Sequence, residues 1–230
     1  MTNLTGKERA HYVQGMFTRI ARRYDLMNRL MTGGQDVQWR KMVIKLAQMK
    51  PSGSLLDLGA GTGDLAREAL KRNPQSRVIA ADFTLEMMRV GRKPNDPPYS
   101  VADALNLPFK DSTFDAVTSG FLMRNVTDLN RTLKEQYRAL KFGGRIVILD
   151  TTRPKKNILS PFIWIHMHFV IPLLGTLISG MSDAYQYLPD STEGFLSAEE
   201  LAARMTDAGF KNVQFKRLMF GTIAIHWGDR

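Results

Sequence analysis

The stretch Ser54-Leu-Leu-Asp57-Leu-Gly59-Ala-Gly61-Thr62-Gly63-Asp64 decides how the rest of the chain is read. Ser54 to Leu58 reads as a short buried strand, and Gly63 to Arg72 as a helix. Between them glycine recurs at every second position, where a chain lacking Cβ atoms can turn tightly and approach a ligand closely. The dinucleotide fingerprint is G-x-G-x-x-G, whose amides cradle a pyrophosphate. Here the spacing is G-x-G-x-G, and Asp57 precedes the first glycine by two residues. A carboxylate there repels a diphosphate and suits a cationic amino-acid group.

Working outward, the next strand, Arg77 to Ala81, ends on Asp82, whose carboxylate can accept from both hydroxyls of a ribose. A third strand, Tyr99 to Ala102, is followed by Asp103-Ala104, placed to accept from an adenine amino group. Three acids at successive strand ends behind a glycine loop form a specific combination. S-adenosylmethionine carries an ammonium, a sulfonium, a ribose and an adenine, but no phosphate. It is the cofactor this arrangement implies, with Asp57, Gly59, Gly61, Thr62, Gly63, Asp82, Asp103 and Ala104 as its site.

The remaining periodicities extend the same pattern. Helices are expected over 8–31, 37–49, 85–91, 129–140 and 198–208, and strands over 114–119, 145–150, 213–218 and 222–227. Strands alternating with helices predict an α/β, Rossmann-like fold: a seven-stranded, mostly parallel sheet with helices on both faces. The expected layout is an N-terminal helical cap, 1–50, and a cofactor-binding domain, 51–230, carrying an apolar helical insertion at about 155–185. With 230 residues and 43% hydrophobic composition, one domain with extra segments can bury a substantial core.

That insertion breaks the pattern. Asn157 to Ser182 holds no Asp, Glu, Lys or Arg. Length alone permits a membrane span, but Pro161, Pro172, Gly175, Gly180, His166 and His168 interrupt it, and it lies between two strands of one sheet. Two readings stay open: a buried helical pair covering the sheet, or an apolar lid that meets a greasy substrate or lies on a membrane surface. His166-x-His168 is a poor metal pair, because residues two apart diverge on a helix or a strand. No cysteine is present, which excludes disulfides and thiolate metal sites and fits a reducing cytoplasm. Met1 to His11 is polar and charged, without a signal-peptide core. The net charge is +10, and residues 1–50 carry ten Lys/Arg against three Asp/Glu. Such a field attracts an anionic membrane face or nucleic acid. A nucleic-acid methyltransferase is disfavoured, since no Asn-Pro-Pro-Tyr-like motif follows the fourth strand and no basic domain is appended.

Beyond the glycine loop, more distinctive pieces occur: Phe17-x-x-Ile20-Ala21-x-x-Tyr24-Asp25-x-Met27-Asn28, Ala102-Asp103-Ala104-x-x-Leu107-Pro108-Phe109, Arg124-Asn125-Val126-x-Asp128, Tyr185-x-Tyr187-Leu188 and Gly221-x-x-Ala224-Ile225-His226-x-Gly228. In these, over almost its whole length, the chain resembles the ubiquinone/menaquinone C-methyltransferases. The resemblance implies a class I methyltransferase acting on the ring of a lipophilic polyprenyl quinol, demethylmenaquinol in first place. It also implies a cytoplasmic enzyme with peripheral contact at the inner face of an anionic membrane, and a homodimer. The sequence departs from the family pattern at three places. Asp36-Val37 replaces His-Arg, Gly120-Phe-Leu-Met123 replaces Ser-Phe-Gly-Leu, and Asp150-Thr-Thr152 replaces Glu-Phe-Ser. The family's serine that approaches the cofactor therefore falls on Gly120, with Ser119 one residue before it.

Ring C-methylation needs a phenolate-like ring, and a phenol ionises near pH 10. The resemblance places Arg124 and Asn125 at the ring oxygen, Arg124 as a fixed cation that favours ionisation and orders a water. Tyr24 completes the catalytic set, and His226 is a further candidate. Two other readings remain: a methyltransferase for another small O- or N-acceptor, and a non-catalytic cofactor-binding partner in a quinone-synthesis complex.

Overall fold

A computed structural model describes residues 6–154, 158, 160–179, 187, 189 and 191–230. Seven strands form one sheet in the order β3-β2-β1-β4-β5-β7-β6. They are β1 (Ser54–Leu58), β2 (Arg77–Asp82), β3 (Tyr99–Val101), β4 (Phe114–Gly120), β5 (Leu140–Thr151), β6 (Lys211–Leu218) and β7 (Ile223–Asp229). β3, β2, β1, β4 and β5 pair in parallel, and β7 runs antiparallel between β5 and β6. This is the mostly parallel Rossmann-like sheet that the alternation predicts. The strand order reverses direction at β1 and β4, so their carboxyl ends open the crevice where such sheets bind ligands.

Strand alternation assigns the faces. Leu56, Leu58, Val117, Ile146 and Ile148 face α6 (Leu129–Ala139) and α9 (Ala198–Asp207), packing on Leu133, Leu201 and Met205. Leu55, Ala116, Val147 and Ile225 face α3 (Gln35–Leu46) and α4 (Asp64–Arg72), with Trp39, Val43 and Ala66. α5 (Leu85–Gly91) lies between β2 and β3. Of the expected 1–50 cap, α3 thus packs into the sheet's own core. α1 (Gly6–Ile20) and α2 (Tyr24–Met31) make a separate cluster, Met16, Ile20 and Met27 closing on Ile171.

The helix expected over 8–31 is not continuous. A 3-10 turn at Ala21–Arg23 divides α1 from α2. Its tighter winding rotates the apolar stripe, so that Met27 meets Ile171 of the insertion. The insertion itself is helical: α7 (Ser160–Ile165), a π-helical turn (His166–Val170) and α8 (Ile171–Ser179). Pro172 has no amide for the carbonyl of His168, and immediately before it the Ile171 amide reaches back to the carbonyl of His166.

Of the two readings of this segment, the buried pair on the sheet fails. Met167 and Ile171 turn inward, but Phe162, Trp164, Phe169 and Leu173 are 70%, 51%, 60% and 60% exposed. Among the described residues, Ile171 is covered by Met16 and Ile20 of α1 and Met27 of α2, and α8 packs against α2. No helix among the described residues is long and apolar enough to cross a membrane. Asn157, Gly180, Ser182, Tyr185 and Leu188, named in the sequence analysis, lie outside the described residues.

Candidate active site

The loop between β1 and α4 is built on three left-handed glycines, Gly59 (φ 69°), Gly61 (φ 56°) and Gly63 (φ 89°). Side-chain-bearing residues adopt that region reluctantly. Space also demands glycine: a Cβ on Gly63 would lie 2.1 Å from the Tyr99 hydroxyl, and one on Gly59 would meet Leu122 at 3.0 Å. Leu122 stands where the family pattern has glycine, and its side chain closes over the loop.

Asp57 does not face the ligand crevice as the charge argument expected. It alternates with Leu56 and Leu58 and so points toward α4, fully buried. Its Oδ2 accepts from the Ala66 amide at 3.0 Å and its Oδ1 from the Thr118 hydroxyl at 3.1 Å. Burial pushes the carboxyl up to about 7, while those two bonds pull it down. It anchors the start of α4 under the loop. Thr62, also buried, donates to Asp25 Oδ1 at 2.7 Å and ties the loop to α2.

Gly59, Gly61, Asp82, Asp103, Ala104 and Gly120 line a cavity of about 150 Å³ at the carboxyl ends of the strands. Asp82 accepts from the Gly61 amide at 2.8 Å and the Thr84 amide at 2.7 Å. Burial holds the carboxyl above its ordinary range, with hydrogen bonds from Thr84, Gly61 and Phe83 opposing. Asp103 is exposed and accepts from Leu105 N at 2.9 Å. Two carboxylates over an apolar floor of Met87, Ala102 and Leu105 suit a ribose and an adenine, so the residues fit S-adenosylmethionine. Ser119 is fully buried beside Leu58 and does not reach this cavity, whereas Gly120 does. α1 roofs it: Ala10, Val13 and Gln14 join the lining, and Gln14 Nε2 donates to the carbonyl of Phe83 at 3.2 Å.

A second cavity, of about 410 Å³, lies beside the first under α1, α2 and the insertion. Its wall is mostly apolar, and Phe162 and Phe220, each 70% exposed, stand at its rim. Phe17, Tyr24 and Phe121 line both cavities and form the wall between them. Phe121 holds a left-handed backbone (φ 59°) that costs an ordinary residue about 1–3 kcal/mol. Its amide donates to the Leu149 carbonyl at 2.7 Å, and its carbonyl accepts from Asn125 Nδ2 at 2.9 Å.

Arg124 lines the larger cavity but is not a free cation. Its Nη1 donates to Asp150 Oδ1 at 2.6 Å, and both partners are nearly inaccessible, at 8% and 1%. Its guanidinium also lies 5.2 Å over the Phe121 ring. Asn125 lines the smaller cavity and is occupied at both ends, giving Nδ2 to Phe121 and accepting from the Tyr187 hydroxyl at 3.1 Å. Burial raises the Tyr24 phenol above its ordinary value, with Asn28 and Arg124 opposing. Tyr24 therefore offers a proton rather than taking one. His226 lines neither cavity. It is buried on β7, its Nε2 2.9 Å from the Ala198 carbonyl, and burial lowers its pKa to about 4.

The structure adds residues that the sequence reading passed over. Asp150 was noted only as a departure, yet it binds Arg124. Asp36, also a departure, is buried and ion-paired to Arg40 and, at 3.2 Å, to Arg29. Phe121 carried no signal beyond its place in a motif. His166, Thr151 and Thr192 line the larger cavity, each with a buried polar atom that has no hydrogen-bond partner.

The family model of the ubiE/COQ5 methyltransferases matches residues 4–230. The chain belongs to that family. A ubiquinone/menaquinone biosynthesis C-methyltransferase of Desulfotalea psychrophila is 48% identical over 94% of this chain and 89% of its own length. A demethylmenaquinone methyltransferase of Thermus thermophilus is 44% identical over 94% of this chain and all of its own length. A solved S-adenosylmethionine-dependent methyltransferase of Thermotoga maritima, described as a possible histamine N-methyltransferase, superposes with a TM-score of 0.66. It is 21% identical over 94% of this chain and 98% of that one, and shows the shared fold. As a ubiE/COQ5 methyltransferase the chain is an enzyme that uses S-adenosylmethionine, and it acts in quinone biosynthesis.

Proposed function

We propose that this enzyme methylates a ring carbon of a polyprenyl quinol, demethylmenaquinol in the first instance, with the ring held in the larger cavity. The observation that carries the reading is the shared aromatic wall. A carboxylate-lined cavity at the strand ends meets an apolar cavity across Phe17, Tyr24 and Phe121. An apolar, aromatic-rimmed chamber suits a lipophilic ring and the first part of its tail. Bound S-adenosylmethionine supplies an electrophilic methyl group. In this proposal Asp82 holds its ribose and Asp103 its adenine. Gly59 and Gly61 let the backbone come close, while Asp57, Thr62 and Gly63 set the loop's shape. Ser119 supports the strand behind Gly120.

Arg124 lends the cavity positive character, offset by Asp150, and fixes the plane of Phe121. Tyr24 donates a hydrogen bond to a ring oxygen as charge develops there. Asn125 acts at one remove, by ordering Phe121 and Tyr187. The two relatives' names, demethylmenaquinone and ubiquinone/menaquinone methyltransferase, support the same acceptor class.

The insertion exposes an apolar face of Phe162, Trp164, Phe169 and Leu173, α2 exposes Leu26 and Leu30, and Arg19 and Arg22 are exposed as well. We assign this face to peripheral contact with an anionic membrane, from which the quinol enters.

The first experiment mixes purified enzyme, methyl-labelled S-adenosylmethionine and a short-chain demethylmenaquinol under reducing conditions, with a benzoquinol analogue in parallel. Label on a ring carbon of the naphthoquinol is the expected result. Label on the benzoquinol alone would replace the acceptor. No label on either, with cofactor binding intact by calorimetry, would sink the quinol reading.

A further inference from the structure

The larger cavity needs a proton acceptor, and none of the residues given a role above serves. Arg124 stays protonated and is committed to Asp150. Tyr24 has its phenol raised. Asn125 has both ends engaged. His226 is walled off on β7. One group remains among the described residues of the lining. His166 opens the π-helical turn of the insertion and is one of the residues that line the cavity. Its Nε2 is buried and makes no hydrogen bond. A buried polar atom without a partner costs about 1–3 kcal/mol, so a structure that keeps one has a use for it or a ligand to satisfy it. Single π-turns inside α-helices recur at functional sites because they redirect one side chain.

His168, two residues on, shows the contrast. It stacks on Trp164 with ring centroids 4.9 Å apart, places Nδ1 3.1 Å from the Trp164 carbonyl, and stands 3.4 Å from Glu193. Thr151 and Thr192 line the same cavity, and their hydroxyl oxygens are buried and unpartnered. Together the three give an apolar chamber a small polar set, one basic and two that can donate or accept.

We propose that His166 is a catalytic residue, the base that takes the proton from a quinol ring hydroxyl, with Thr151 and Thr192 engaging the ring oxygens. This rests on the quinol reading above. The Nε2 lone pair forms a bond to the hydroxyl proton, and the O–H electron pair stays on oxygen as phenolate. Charge then reaches the ring carbon that forms the new C–C bond to the methyl group, whose former bonding pair returns to sulfur. That carbon loses its own hydrogen as a proton to solvent. The proton on His166 returns to the ring oxygen, leaving the histidine neutral for the next turnover. The balance is one methyl gained and one proton released. The titratable and charged groups facing His166 across the cavity are Tyr24 on α2, Arg124 with Asp150 behind it, and Tyr187. On its own helix the neighbour is His168, opposite Glu193.

The test has an arm without cofactor. A naphthol whose phenolate absorbs at longer wavelength than its neutral form is titrated with the enzyme alone. Wild type should ionise the bound naphthol at a lower pH than solution does, and His166→Gln should not. With cofactor and demethylmenaquinol, His166→Gln should lose turnover on the order of 100-fold or more, while cofactor affinity by calorimetry stays at wild type. The acid limb of the wild-type rate profile should vanish in the variant. His166→Asn serves as a second variant if the first does not fold, with cofactor binding as the check. A His166→Gln enzyme that ionises the naphthol like wild type, or keeps wild-type turnover, overturns the assignment and leaves the quinol reading standing. A wild type that neither binds the naphthol nor methylates the quinol overturns both.

Discussion

Two buried titratable groups pull the stability of this enzyme in opposite directions with pH. The Asp57 carboxyl, pushed up to about 7, binds more protons folded than unfolded between about pH 4, its ordinary value, and that point. It makes the fold lose stability as pH rises through that window. His226, lowered to about 4, binds fewer protons folded than unfolded between that value and about 6.5. It makes the fold lose stability as pH falls through that window. The two oppose each other in wild type. Asp57→Asn removes one and leaves the other, so its melting temperature should drop more steeply than wild type's on acidification from about pH 6.5 to about pH 4. Equal slopes would mean that Asp57 is ionised in the fold. Arg124 shows the second residue-scale effect. Arg124→Ala leaves the buried Asp150 with two backbone donors but no counter-ion, and should cost about 3–5 kcal/mol. The pair Arg124→Met with Asp150→Asn should recover most of that in denaturant unfolding, but not the turnover. Recovered turnover would show that the guanidinium has no part in the reaction.

Among the elements, the loop from β1 to α4 was the most legible. Its glycines sit where backbone geometry forces them, so spacing alone revealed the strand, the turn and the helix. Gly63→Ala should destabilise by about 1–3 kcal/mol, because φ 89° and the Tyr99 hydroxyl both resist a Cβ. Adding Tyr99→Phe should return part of that in thermal melting. No return would place the whole cost in the backbone. The sheet was readable for the same reason, since buried parallel strands leave runs that differ from helices in period. Direction within the sheet was harder. The acid of the loop was assigned to the ligand from its charge, whereas strand parity turns Asp57 toward α4 and Thr118. The break at Ala21–Arg23 left no trace in composition, because what rotates α2 is Met27 meeting Ile171, a contact 144 positions apart. The insertion's apolar run was evident, but which of its residues face inward is set by a π-turn that no pattern announces. For that reason His166 read as an interruption in the run.

At the scale of the whole molecule, the cofactor's side carries the carboxylates and lies at the strand ends, while the acceptor's side is apolar and lies under the N-terminal helices and the insertion. Contact with a membrane would join that second side to the source of the quinol. In flotation with vesicles, wild type should enrich with anionic lipid and less so as salt rises, because exposed charges are screened. Replacing Phe162, Trp164 and Phe169 together by serine should abolish enrichment while leaving cofactor affinity unchanged. Unchanged flotation would move the contact elsewhere on the surface. The lining of the larger cavity has one more consequence. The chain has no cysteine but 13 methionines, and Met16, Met27, Met31, Met167 and Met219 all border that cavity. Thioethers fill an irregular chamber well and yield to a bulky guest. They are also the side chains that oxidants convert to polar sulfoxides, a change that reductases reverse. Oxidation of these residues would therefore alter the chamber for the lipophilic partner, leave the cofactor's carboxylates untouched, and be repairable without new synthesis.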